Sequence, residues 1–187
     1  MESRRRVGFG VFAECLLTGV WIAVLSVPVV TAPAAFAAGA RHLRRHLSGQ
    51  SGGWRACLAD FRGAVRRGWL VGLGGLFGFV AVLVDVRVAR AGLPGGQLAA
   101  AIGLFALIAA AVTVLRAATV WTPGASWRAL LTDAARRTVR APAGSLLLVC
   151  GLALVALSAE FLTPLAVPVL GILAAAAVAV EERGRGR

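Results

Sequence analysis

An all-α, polytopic membrane helical bundle is the architecture expected of this chain. About six transmembrane helices are arranged in three hairpins, with two amphipathic helices on the cytoplasmic surface. Three observations predict it. The chain of 187 residues is 59% hydrophobic with a mean hydropathy of +0.82, and several apolar runs reach the ~18 residues or more that cross a ~30 Å hydrocarbon layer. The basic residues, which give a net charge of +12, cluster in the breaks between those runs, where they act as topology signals and not as a nucleic-acid footprint. Prolines and glycines stand where the chain must reverse. Residues 1–187 form a single integral membrane domain.

Arg4, Arg5 and Arg6 precede the first apolar run, from Val7 to about Val27. A secretory signal has a similar start, and Ser3-Arg4-Arg5 followed by small residues near Ala38 resembles an export signal with a cleavage site. The run is longer than the ~7–15 residues of a signal core and contains Glu14, so the segment is expected to be retained. Arginine asymmetry strengthens this expectation. Arg41, Arg44, Arg45, Arg55, Arg62, Arg66 and Arg67 follow the run, so both basic flanks are cytoplasmic only if the chain goes out along 7–28, turns at 29–32 and returns along 33–47. Pro28 disfavours helix at Val27, Pro33 suits the first turn of a new helix, and Thr31 is expected to cap it.

Pro28-Val29-Val30-Thr31, then Pro33-Ala34 and a small-residue helix ending in arginines, resembles the signature of the YesL-like bacterial integral membrane proteins, and Asp60-Phe61 is similar to another feature of that family. The likeness covers mainly residues 10–70 and departs from the usual pattern at Ala32, where a Gly commonly precedes the second Pro. It implies a protein of unknown biochemical activity associated with carbohydrate uptake.

Ser48 to Gly53 is a polar loop. In the segment Trp54 to Arg67, Trp54, Leu58, Phe61 and Val65 recur at helical spacing with Arg55, Arg62 and Arg66 between them, which predicts an amphipathic helix lying flat on the cytoplasmic surface. Residues 68–88 are expected to cross outward, with Gly68/Gly72 and Gly74/Gly78 as small faces for helix packing. Leu93-Pro94-Gly95-Gly96 makes an outer loop, and 98–119 returns, with Arg116 near its inner end. Thr122-Pro123-Gly124 breaks that helix, Ser126 to Arg140 forms the second basic surface helix, and 143–162 and 164–180 form the last hairpin, with Thr163-Pro164 capping its second helix. Both termini are then cytoplasmic.

Trp54-Arg55-Ala56-x-Leu58-x-Asp60 matches Trp127-Arg128-Ala129-x-Leu131-x-Asp133. This suggests an internal repeat of 1–67 and 68–140 followed by the hairpin 141–180, or else a shared demand for surface helices. Trp54, Arg55, Asp60, Phe61, Trp127, Arg128 and Asp133 mark the partner-facing surface this reading expects.

Charges inside spans are the remaining candidates, because each costs at least ~2.5–3.5 kcal/mol at mid-bilayer unless paired or wet. Glu14 and Arg116 lie near the inner ends of their helices and are placed to pair across the bundle; Asp85 and Glu160 approach the outer face. They form either structural pairs or a polar pathway. His42 and His46 are one helical turn apart, but their neighbours are arginines and no acidic third ligand is evident. They are expected to form a basic face towards lipid phosphates and not to hold a metal. The cysteines Cys15, Cys57 and Cys150 are odd in number and widely spaced, as buried apolar residues and not a disulfide or zinc framework. No nucleophile elbow, phosphate loop or cofactor fingerprint occurs. The expectation is a non-enzymatic accessory or scaffold protein in the inner membrane. Its partners would be the lipid bilayer, transporter subunits and further copies of itself, with no nucleic acid, and a small transporter or channel is the alternative.

Overall fold

The computed structural model describes residues 2–50, 53–92, 94–161 and 163–185; side chains are described from residue 13 to 158 within those bounds and from 167 to 183. Among the described residues the chain is all helical, with seven α-helices and no strand: α1 (Glu2–Leu25), α2 (Ala32–Leu47), α3 (Trp54–Arg90), α4 (Gly96–Thr119), α5 (Trp127–Arg140), α6 (Pro142–Phe161) and α7 (Thr163–Arg185). One turn of 3-10 helix, Val29–Thr31, links α1 to α2.

The short helix α2 is the hub. It touches α1, α3, α4 and α7, and its middle, Ala34 to Ala40, is buried throughout. Small side chains make this possible, since a helix of alanine and glycine lets four neighbours approach closely on dispersion contacts alone. Pro33 occupies the first turn of α2, as its locked φ and missing N–H favour. Thr31 does not cap that turn. Its hydroxyl instead reaches back to the carbonyl oxygens of Leu25 and Pro28, each at 2.7 Å. The orphan carbonyls at the end of α1 take the donor that the sequence reading assigned to the start of α2.

α1 and α7 run antiparallel and meet through glycine. A Cβ on Gly19 would overlap the Val167 carbonyl oxygen, and one on Gly171 would overlap that of Cys15. The second close approach, at Gly72 of α3, is against the backbone of Val30 in the linking turn. Gly68, expected on a helix-packing face, instead makes room for the Trp127 indole, whose Nε1 donates to the Ala64 carbonyl at 3.3 Å.

One expectation needs correction. The segment Trp54 to Arg67 is not a separate surface helix, because α3 continues unbroken for 37 residues, roughly 55 Å at 1.5 Å per residue. Its amphipathic first half extends the membrane helix beyond the ~30 Å apolar layer. Gly68 alone does not interrupt the hydrogen-bond ladder. Pro142 does at the corresponding place in the second half, where it forces Ala141 to φ −123°, ψ 73° and α5 bends by 105° against α6. Of the two predicted amphipathic surface helices only α5 is a separate helix. Its Trp127 and Ala134 are buried against the bundle while Arg128, Asp133, Arg136 and Arg140 are exposed.

Among the described residues, α3 and α4 are long and apolar enough to cross a membrane, with α5–α6 a third if the bent pair counts as one, fewer than the six expected. The described apolar part of α1 is Ala13–Leu25, and α2 has 16 residues, about 24 Å of helix. The outer surfaces of α3, α4 and α6 present Phe77, Phe105, Ile102, Leu146 and Leu157 uncovered. A continuous apolar exterior of that kind is at home in lipid and would aggregate in water. The described chain is all helical, and its apolar helices suggest a membrane protein.

Candidate functional site at the basic end of the bundle

The middle of α1, the C-terminal turns of α2, the first half of α3, the end of α4, α5 and the end of α7 meet at one end of the bundle. There the acidic side chains that face inward are each bound to bases from another helix. Glu14 of α1 accepts from His42 of α2, 2.6 Å from Nε2, with His46 Nδ1 at 3.8 Å. His42 therefore does not face lipid phosphates. It is buried, because a turn of α2 carrying arginines outward carries His42 inward against α1.

Asp60 of α3 lies between Arg41 and Arg45 of α2, 3.4 Å from Arg41 Nε and 2.8 Å from Arg45 Nη1. The carboxylate is nearly buried while both arginines keep about a fifth of their side chains exposed, so the acid is held by two partly hydrated cations. Arg44, on the next face, donates from Nη2 to the Trp121 carbonyl at 2.9 Å, tying α2 to the end of α4. Next to Asp60, the Cys57 thiol is pushed up to about 11 by burial and then by the Asp60 charge, with Arg45 pulling the other way. It is a protected, protonated thiol and not a reactive one.

The third cluster is the most enclosed. Arg116 of α4 is 3% exposed and Glu181 of α7 is 6% exposed. Their charged atoms stand 3.5 Å apart, and Arg137 of α5 bonds the other carboxylate oxygen of Glu181. Arg116 Nη2 donates to the Ala141 carbonyl at 3.2 Å and to Ser145 Oγ at 3.3 Å. Gly144 leaves the room, since a Cβ there would stand 2.8 Å from Arg116 Nη2. Glu14 and Arg116 thus do not pair with each other. α1 packs against α2 and α7, whereas α4 packs against α2, α3, α5, α6 and α7, so each finds its partner on a different neighbour.

Asp85 lies towards the opposite end, on α3. Its Oδ2 crowds Gly103 of α4, where a Cβ would stand at 2.9 Å, and it has no ion-pair partner among the described residues. It edges a largely apolar groove of about 940 Å³ between α3 and α4. The Glu160, Thr163 and Pro164 side chains lie outside the described residues. The residues matched by the internal repeat have unlike surroundings. Trp54 is half exposed with Arg55 stacked 5.9 Å from its ring, whereas Trp127 is buried. Asp60 is buried in a salt bridge, whereas Asp133 is exposed. No group of three or more metal-ligating side chains occurs among the described residues.

The sequence reading ends the last helix at 180 and does not single out Glu181, and it turns His42 towards lipid and not towards Glu14. The available signal was scarcity, because eight acids face twenty basic residues, so an acid at the end of an apolar helix is bound to be claimed by an arginine. Comparison of the chain with family models, with curated proteins and with solved structures finds no match.

Proposed function

We propose that the chain is a multi-pass inner-membrane protein whose α1–α2, α3–α4 and α6–α7 hairpins supply six membrane segments, with its basic end in the cytoplasm. On this reading it is a non-enzymatic accessory or scaffold protein. The resemblance to YesL-like proteins suggests a transporter of carbohydrates as its partner.

One observation carries the reading. At the basic end the inward-facing acids are consumed by internal ion pairs, while Arg55, Arg62, Arg66 and Arg67 on α3 and Arg128, Arg136 and Arg140 on α5 are exposed and have no acidic partner among the described residues. Such a surface attracts acidic protein segments and anionic headgroups. The alternative, a small transporter or channel, needs a polar route from the Glu14 and Arg116 end to the Asp85 and Glu160 end. The buried centre of α2 and its neighbours is Ala34, Ala35, Phe36, Ile22 and Val112, which favours the scaffold.

The test is affinity purification from the native membrane in mild detergent, comparing the native chain with an R62Q/R66Q/R128Q/R136Q variant. Transporter subunits recovered near one-to-one with the native chain and lost with the variant, at unchanged monodispersity, are the expected result. Recovery of the chain alone, together with solute flux into liposomes that E14Q abolishes, would replace the scaffold by the transporter reading.

A further inference from the structure

The bend between α5 and α6 leaves a pocket of about 660 Å³ at the basic end, closed on the far side by α7. Its charged lining is Arg116, Arg137, Arg140, Arg183 and Glu181, four guanidiniums against one carboxylate, a net charge of +3. Only Glu181 opposes them, and it is held by Arg116 and Arg137. Arg140 and Arg183 are exposed and have no acidic partner among the described residues.

Arg116 is already aimed. Its Nη2 is fixed by Ala141 and Ser145, its Nη1 stands near Glu181, and its buried Nε has no hydrogen-bond partner. A buried guanidinium N–H left unmatched is costly, so an added acceptor beside Arg116 would be favourable. The first turn of α6 adds to the same site. Pro142, Ala143 and Gly144 line the pocket, and the Ala143 and Gly144 amides have no backbone acceptor among the described residues. The 20-residue helix that begins there contributes the positive end of its dipole. The remaining wall is apolar, Leu147 and Val180, and Leu147 continues onto the uncovered outer face of α6 with Leu146 and Leu154.

We propose that this pocket binds a phosphate oxyanion, held by Arg116, Arg140 and Arg183 and by the first turn of α6. The source that best fits the apolar wall is an anionic glycerophospholipid, its headgroup among the arginines and an acyl chain along Leu147; phosphate free in the cytoplasm presents the same chemistry. The site stands independently of any transporter partner. Guanidiniums suit it because their forked donors match phosphate oxygens in pairs, and basic pockets between membrane helices are a recurrent setting for such headgroups.

The experiment uses the full chain, delipidated in a neutral detergent, and counts bound ligand by native mass spectrometry. The probes are dioleoylphosphatidylglycerol, dioleoylphosphatidylcholine and inorganic phosphate at fixed ionic strength. The chains are the native protein, R140Q/R183Q at the pocket, and R87Q/R90Q at the far end of α3, both exposed, as a control of equal charge. One phosphatidylglycerol should bind in preference to phosphatidylcholine. At about 1 kcal/mol for each arginine, R140Q/R183Q should weaken it roughly 30-fold while the control leaves it within about 3-fold. If millimolar phosphate displaces the lipid with the same dependence on Arg140 and Arg183, the site stands with a soluble source. Equal loss in both variants, or no preference for either anion over phosphatidylcholine, overturns the proposal.

Discussion

Replacing Glu181 by Gln removes the one negative charge in the most enclosed part of the molecule and keeps its shape. Two cations lose a partner, but unequally. Arg137 is a third exposed, so water takes over most of its charge and its share is that of a surface pair, up to about 1 kcal/mol. Arg116 is 3% exposed and has no such recourse; breaking a buried pair from one side costs about 3–5 kcal/mol, because the remaining charge stays desolvated. The expected loss for E181Q is therefore roughly 3–5 kcal/mol, almost all of it through Arg116. Removing that charge as well, in R116M/E181Q, should recover most of the loss, since replacing a buried pair by apolar groups is often close to neutral. The assay is reversible unfolding in SDS-containing mixed micelles, followed by fluorescence of the five tryptophans. It is run without anionic lipid, which would substitute for the missing carboxylate. E181Q within about 0.5 kcal/mol of the native chain, or a double variant whose cost is the sum of the single ones, would refute the view that burial makes this pair interdependent.

The glycines separate close approach from open space. Gly72→Ala should cost at least about 1–3 kcal/mol in the same assay, because the new Cβ meets the Val30 backbone, whereas Gly75→Ala, with nothing within 4 Å, should be neutral or stabilising by up to about 1 kcal/mol. Cys57, with its thiol raised to about 11, carries about 100-fold less thiolate at pH 8 than a thiol at its ordinary value of 9.0. Its alkylation by iodoacetamide, read by peptide mass, should be at least that much slower in the folded chain than in SDS, and should rise as pH approaches 11. A Cys57 that labels rapidly at pH 8 would contradict its burial. In a cysteine-free background, Q50C and S126C should react with an impermeant maleimide only after the cytoplasmic side is opened, and Q97C from outside. Labelling of all three from one side would exclude the six-segment topology. Thr31→Val should destabilise by about 1 kcal/mol, since the Leu25 and Pro28 carbonyls lose their donor; an unchanged melt would show that water satisfies them.

What is local in the chain was legible in advance. The helix breaks at Pro28–Thr31, Pro94–Gly95, Thr122–Ser126 and Ala141–Pro142 follow from proline geometry and glycine freedom; Gly95 and Gly124 take φ of 84° and 87°, which side chains other than glycine rarely adopt. The all-helical class follows from the lengths of the apolar runs, and the gathering of arginines at one end from their positions between those runs. Where the reading strayed, the deciding quantity was not local. Arg66-Arg67-Gly68 looked like a boundary because hydropathy changes there, but helix continuation depends on backbone hydrogen bonds, which a change of side-chain polarity leaves intact.

The helical class, the reversals and the polarity of the two ends are legible in the residues alone, because each depends on residues within a few turns of one another. Which base each acid meets is a matter of packing. That Glu14 goes to His42, Asp60 to Arg41 and Arg45, and Glu181 to Arg116 and Arg137 depends on the order of helices around α2. That order is set by where glycine and alanine permit backbones to touch, at Gly19 against α7, at Gly72 against the Val29–Thr31 turn and along Ala34 to Ala40. The arginine pocket has the same origin. Its residues come from four helices and are strangers in the chain until Pro142 turns α6 away from α5 and leaves the space between them.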